Sequence, residues 1–256
     1  MPVKLQISGL QKSFGDGKQN KLLALDRVSM NIRKNEFVGL IGPSGSGKSS
    51  LLDILAGLSL PDIGEVLMDG KSLLGRKGEV SYMPQRDVLF PWRTILDNVT
   101  IPLEIAGIPR KEARKEAMGL LPIFGLESFA KSYPHMLSGG MRQRASFLRT
   151  YLCKKDMMLL DEPFGKLDAL TRMQMQEWLL DIWQKVKPSV LFITHDVEEA
   201  ILLCDRIYVL SARPGRIRGE VEVNLPRPRT GTISTNVDFI RLKGKLLEML
   251  REGTAF

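Results

Sequence analysis

Residues 37 to 55, FVGLIGPSGSGKSSLLDIL, decide the architecture. FVGLI is a short, unbroken apolar run halted by Gly42, the pattern of a strand buried on both faces. KSSLLDIL, with its leucines and no breaker, reads as a helix. Between them, Gly42, Pro43, Ser44, Gly45, Ser46, Gly47, Lys48 and Ser49 fit G-x-x-x-x-G-K-[ST], and Ser50 follows in the first helical turn. The glycines let backbone N–H groups close around phosphates, Lys48 brings a cation to them, and the Ser49 hydroxyl can ligate Mg2+.

The same alternation continues downstream. MMLLD (157 to 161), VLFITH (190 to 195) and IYVLS (207 to 211) are apolar runs separated by the helical patterns LTRMQMQEWLLDIWQKV and DVEEAILLC. Short apolar strands alternating with helices predict an α/β fold with a mostly parallel sheet flanked by helices. Ligands on such sheets sit at the carboxyl ends of the strands, where residues 42–49, the acidic pair after MMLL and His195 all fall. Residues 87–156 interrupt the rhythm with helical patterns alone (TILDNVTIPLEIAG, RKEARKEAMGLL, MRQRASFLRTYL). They form either a helical lobe inserted into the core or ordinary crossover helices of one larger sheet.

Asp161 and Glu162 close an apolar strand, and strand neighbours face opposite ways, which predicts different jobs for them. Asp161 is placed to hold Mg2+ or its water, and Glu162 to orient or deprotonate an attacking water. His195 either reaches a terminal phosphate or is structural. Gln85, after the candidate strand EVSYMP, either brings its amide to Mg2+ and the attacking water or is a plain loop glutamine. LSGGMRQ (137 to 143) adds a second anion-seeking feature, since Ser138, Gly139 and Gly140 open a helix whose N–H groups and dipole favour phosphate, yet it has no lysine.

In their order, GPSGSGKS, Gln85, LSGGMRQ, MMLLDE, GKLD (165 to 168) and His195 resemble the ATP-binding cassette (ABC) ATPases, over about residues 3 to 225. LSGGMRQ is the most specific of these stretches, because other P-loop proteins lack it. DEPFG, LDALTR and LSARPGRI look most like the ATP-binding subunits of nitrate, sulfonate and taurine importers. The resemblance implies a P-loop NTPase core of the ABC type with an antiparallel β part and an inserted helical subdomain. Its boundaries would be 1–86 and 157–225 for the core, 87–156 for the subdomain and 226–256 for a tail ending in a helix.

The resemblance further implies ATP and Mg2+ as ligands, with Ser49, Gln85 and Asp161 around the metal and Lys48, Gln85, Glu162 and His195 in catalysis. Phe14 would stack on adenine, unless it is a core phenylalanine. Asp168 would support the opposite site of a head-to-tail dimer, in which Ser138, Gly139 and Gly140 of one copy complete the ATP site of the other. Lys166 departs from the small residue usual before the Leu-Asp pair, which puts the strength of dimer closure in question. Leu89, Phe90 and Trp92 would either anchor a helix of a polytopic membrane permease or form a packed turn. A solute-binding protein would act with that permease, placing this chain at the cytoplasmic face of the membrane. The competing reading is a soluble ABC-type switch without a membrane partner.

The 256 residues carry 37 Lys and Arg against 29 Asp and Glu, a net +8. The basic residues are scattered with few aromatics among them, which argues against nucleic acid. No stretch free of Asp, Glu, Lys and Arg reaches twelve residues, too short for a spanning helix of about 20. The first 30 residues lack a signal-peptide pattern, which points to the cytoplasm. Cys153 and Cys204 sit in apolar surroundings and are expected to be reduced packing residues.

Overall fold

The computed structural model describes residues 2–15, 21–165, 167–229 and 231–251. Among the described residues, ten strands lie in two sheets. The first is antiparallel, in the order β2-β1-β4-β5, from β1 (Val3–Phe14), β2 (Leu22–Arg33), β4 (Ile63–Met68) and β5 (Lys71–Ser72). The second has the order β10-β9-β3-β8-β7-β6, from β3 (Phe37–Ile41), β6 (Ser81–Met83), β7 (Met157–Asp161), β8 (Ser189–Thr194), β9 (Arg206–Leu210) and β10 (Ile217–Glu222). It is parallel from β9 to β6, and only β10 runs antiparallel at its edge.

Every residue of β3, β7, β8 and β9 is buried, which is why these strands read as unbroken apolar runs. Their side chains still alternate between two cores. Val38, Leu40, Leu159, Leu191 and Ile193 pack toward the antiparallel sheet and α1 (Lys48–Leu55). Phe37, Ile41, Leu160, Phe192 and Val209 face the remaining helices, among them α6 (Ala169–Val186), α7 (Val197–Leu203) and α8 (Val237–Arg251).

Between β6 and β7 the described chain is helical, with α2 (Ile95–Val99), α3 (Ile101–Ile105), α4 (Arg110–Leu120), α5 (Gly139–Tyr151) and short 3-10 turns. TILDNVTIPLEIAG splits into two short helices because Pro102, in the first turn of α3, has no N–H with which to continue α2. Ala113 and Ala117, one turn apart, are the buried residues of α4. The lobe shares its core with the sheet. Trp178 of α6 meets Phe124 edge-on at 4.7 Å, and its indole N–H donates to the carbonyl of Ile123 at 3.0 Å.

Cys204 is fully buried and Cys153 partly so, and both are free thiols; burial pushes both up in pKa, so neither is poised as a thiolate.

Candidate functional site

The loop from β3 to α1 is built by close approach. Gly47 caps α1 with φ 95°, and a Cβ there would stand 2.7 Å from Cδ2 of Leu25 and 2.8 Å from the Ala24 carbonyl. Both the left-handed backbone and the crowding demand glycine. No acidic residue occupies the first turn of α1, so its N–H groups and positive dipole end face the loop uncompensated. The Lys48 ammonium turns back over the loop, donating to the carbonyls of Gly42 at 2.7 Å and Pro43 at 2.9 Å. Burial lowers its pKa, while Glu162 and Asp161 act the other way. Ser46 is buried beneath it, Pro43, Ser44, Gly45, Ser49 and Ser50 lie along the accessible side, and Arg213 braces the loop by donating to the Gly45 carbonyl at 3.2 Å.

Strand order then assembles residues far apart in sequence. Ile41 pairs with Thr194, Asp161 with Ile193, and Met83 with Leu160, so the four strands end at one level. Residues 42–49, His195, the Asp161–Glu162 pair and Gln85 therefore lie in a row along one edge.

Asp161 is the buried member, 5% exposed. Burial pushes its carboxyl up to about 6; a hydrogen bond from Ser49 opposes the shift and the neighbouring Glu162 adds to it. Simple strand alternation does not place Glu162: β7 ends at Asp161, and Glu162 turns out with φ 43°, its N–H donating to the Ile193 carbonyl at 3.0 Å. That turn directs its carboxylate along the row. Oε2 accepts a hydrogen bond from Gln85 Nε2 at 2.9 Å and lies 3.4 Å from His195 Nδ1. Gln85 and His195 thus both contact Glu162.

The LSGGMRQ helix begins two residues earlier than MRQ suggests. Ser138 is its N-cap, with Oγ accepting from the Met141 N–H at 3.3 Å, and Gly139 and Gly140 form its first turn. Ser138 and Gly139 are exposed. Gly140 is buried against α6, where a Cβ would come within 2.6 Å of Thr171 Cγ2. Asp168 caps α6 by accepting from the N–H of the same Thr171 at 3.0 Å, and these backbone donors hold its carboxyl below the usual range. Lys166 lies outside the described residues. Gln85, Glu162, Gly139, Arg142 and Gln143 line a common cleft of about 280 Å³.

Sequence reasoning missed the residues that hold the Gln85 loop. Arg142 of α5 donates to the Asp87 carboxylate at 3.0 Å, and Arg149 donates to the carbonyls of Asp87 and Val88, both at 2.7 Å. Val88 sits at φ 42°, a conformation these bonds help hold. The seven-residue spacing of two arginines on one helix was the available signal. Asn98, fully buried, pins the next turn by accepting from the Phe90 N–H at 2.7 Å and donating to three carbonyls.

Leu89 is 8% exposed and belongs to the core, so it is no surface anchor. Phe90 and Trp92 are 40% and 71% exposed, with rings stacked at 5.2 Å. Phe14 is 45% exposed at the end of β1, with the Lys12 ammonium 5.3 Å from its ring centre, which excludes a core role. No described helix is long and apolar enough to cross a membrane.

The sequence profile described as "ABC transporter" matches residues 25–165. The nitrate import ATP-binding protein NrtD of Synechocystis is 41% identical over 97% of this chain and 96% of its own. The aliphatic sulfonates import ATP-binding protein SsuB of Bacillus cereus is 40% identical over 98% of this chain and 97% of its own. Among solved structures, the dimeric post-hydrolysis state of the ATP-binding cassette MJ0796 bound to ADP and phosphate superposes with a TM-score of 0.75. It is 29% identical and covers 87% of this chain and 100% of its own. The chain belongs to the ABC transporter family.

Proposed function

We propose that this member of the ABC transporter family is the ATP-hydrolysing subunit of an importer and drives transport through a separate membrane permease. The observation that carries the reading is the single carboxylate oxygen of Glu162 held between Gln85 and His195, at the end of the sheet that also presents Lys48.

In this mechanism, backbone N–H groups of the loop residues 42–50 other than Pro43 cradle the phosphates, with Lys48 released from its loop carbonyls to pair with them. Phe14 stacks on the adenine. Glu162 accepts the proton of the attacking water, and Gln85 orients that water. His195 donates to the terminal phosphoryl group as charge develops on it.

Magnesium fits the donors present. A hydroxyl (Ser49), a carboxylate (Asp161) and an amide oxygen (Gln85) are hard oxygen ligands, and Mg2+ needs only one or two carboxylates beside substrate phosphates. The upward shift of Asp161 marks a buried carboxylate whose ionised form is favoured by a nearby cation. Bound there, the metal would supply charge neutralisation at the phosphates.

Two copies act head to tail. Ser138, Gly139 and Gly140 of one copy cap the ATP lying on the loop of the other, and Asp168 supports the opposite site. That arrangement explains an anion-seeking helix start with no lysine of its own. Residues 1–86 and 157–225 form the nucleotide-binding core, 87–156 the helical subdomain and 226–256 the tail. Phe90 and Trp92 are the aromatic anchors for the permease. The cargo class is a small anion or a vitamin-precursor solute delivered by a solute-binding protein, with this chain at the cytoplasmic face. The relatives named for nitrate and sulfonate import support the anion.

Tagged purification from detergent-solubilised membranes of the native host tests the reading. Recovery with a polytopic membrane protein in fixed ratio supports it. Recovery in the soluble fraction, alone or with ribosomes or DNA, refutes it.

A further inference from the structure

At the opposite end of the parallel sheet, away from residues 42–49, a cleft of about 920 Å³ opens between the helical lobe and the core. Its walls are α4 and the end of α5 on one side, and the β2–β3 and α6–β8 turns on the other. The volume falls within the roughly 300–1,000 Å³ of small-molecule sites.

The lining has two chemistries. Leu120, Tyr151, Met158, Val186 and Pro188 give an apolar floor. Around it stand Lys34, Lys115, Lys154, Lys155 and Lys187, against Glu112, Glu116 and Asp156. Glu116 is held by Lys154 at 2.7 Å, and Asp156 is engaged from outside the cleft by Lys4 at 3.4 Å. Lys34, Lys115, Lys155 and Lys187 are left with no described ion-pair partner, facing Glu112 as the one lining carboxylate in the same position. Two turns of the wall are fastened together, since the Asn35 N–H donates to Ser189 Oγ at 3.0 Å.

An apolar floor under surplus ammonium groups selects for an anion with an apolar body. A cation would meet the lysines, and a bare inorganic anion would leave the floor in water. Lysine stems can lie along the body while their heads reach its acidic group. We propose that this cleft binds a small amphipathic organic anion, an aromatic or aliphatic sulfonate, carboxylate or phosphate, and that the ligand bridges the helical lobe to the core. This inference is independent of the nucleotide chemistry.

The probe is 8-anilinonaphthalene-1-sulfonate, titrated by fluorescence into the full chain and three variants. Gly119 of α4 lines the cleft, and a Cβ there meets nothing within 4 Å. Gly119→Trp therefore starts from an unobstructed Cβ, adds a large ring at the cleft wall and replaces a poor helix former. Lys187→Glu reverses one rim charge, and Lys71→Glu, on β5 of the other sheet, is the control.

The expected result is one saturable site, weakened about tenfold or more by Gly119→Trp, about fivefold by Lys187→Glu, and unchanged by Lys71→Glu. Equal binding by all four proteins would overturn the site. Loss in Gly119→Trp with no effect of Lys187→Glu would overturn its anion preference.

Discussion

Gln85 and Glu162, just past the ends of two adjacent strands, meet with amide nitrogen and carboxylate oxygen 2.9 Å apart. The bond links the loop that leads to Phe90 and Trp92 with the carboxylate assigned to proton transfer. A displacement of Gln85 with that loop would break this bond.

If Glu162 takes the proton from water, Glu162→Gln should lower kcat by about 10²- to 10⁴-fold. ATP binding should persist, and an ATP-bound dimer should accumulate in size-exclusion chromatography with light scattering. Undiminished turnover would remove Glu162 from the mechanism.

Gly140 has no room for a methyl group beside Thr171. Gly140→Ala is expected to cost about 1–3 kcal/mol in denaturant unfolding and to reduce ATPase activity by shifting the start of α5. Thr171→Ser deletes the clashing Cγ2, so the double variant should recover most of that loss. Simple additivity of the two changes would contradict the packing account.

Phe14→Ala should weaken ATP binding by about 1–3 kcal/mol, the range for stacking on a base. Its ring is half exposed, so the thermal midpoint should stay put. Equal ATP affinity in calorimetric titration would reassign the adenine contact.

Glu199 is buried, with Thr194 Oγ1 donating at 2.7 Å and Gln176 Nε2 at 3.1 Å. Burial raises its pKa in the fold despite those bonds. A raised folded-state value favours the protonated form, so its contribution to stability is full below the unfolded value near 4.5 and falls as pH rises through the folded one. Glu199→Gln removes that dependence. The melting temperature of the variant relative to the parent should rise between pH 4.5 and pH 7; a constant difference would exclude the linkage.

Trp92 is exposed and stacks only on Phe90 among the described aromatic pairs. Trp92→Ala should leave the ATPase activity of the isolated chain unchanged while abolishing co-purification with the permease. Retained co-purification would place the docking surface elsewhere.

The sequence by itself determined the buried strands of the parallel sheet and the phosphate loop. FVGLI, MMLLD, VLFIT and IYVL are buried on both faces, so all but the closing Asp161 and Thr194 had to be apolar or glycine, and each run announced itself. The loop was legible because its chemistry is local: glycine at the left-handed Gly47, lysine one residue on, a helix behind. Tertiary structure alone decided which strand ends adjoin, and hence that Gln85, Glu162 and His195 share one carboxylate oxygen across long stretches of chain. It also decided that Glu162 leaves strand geometry, that Leu89 is core while Trp92 is not, and that Arg142 and Arg149 hold the Gln85 loop. Side-chain periodicity reports which face of one element is buried. It carries no term for which other element lies against that face, and the site is made from those contacts.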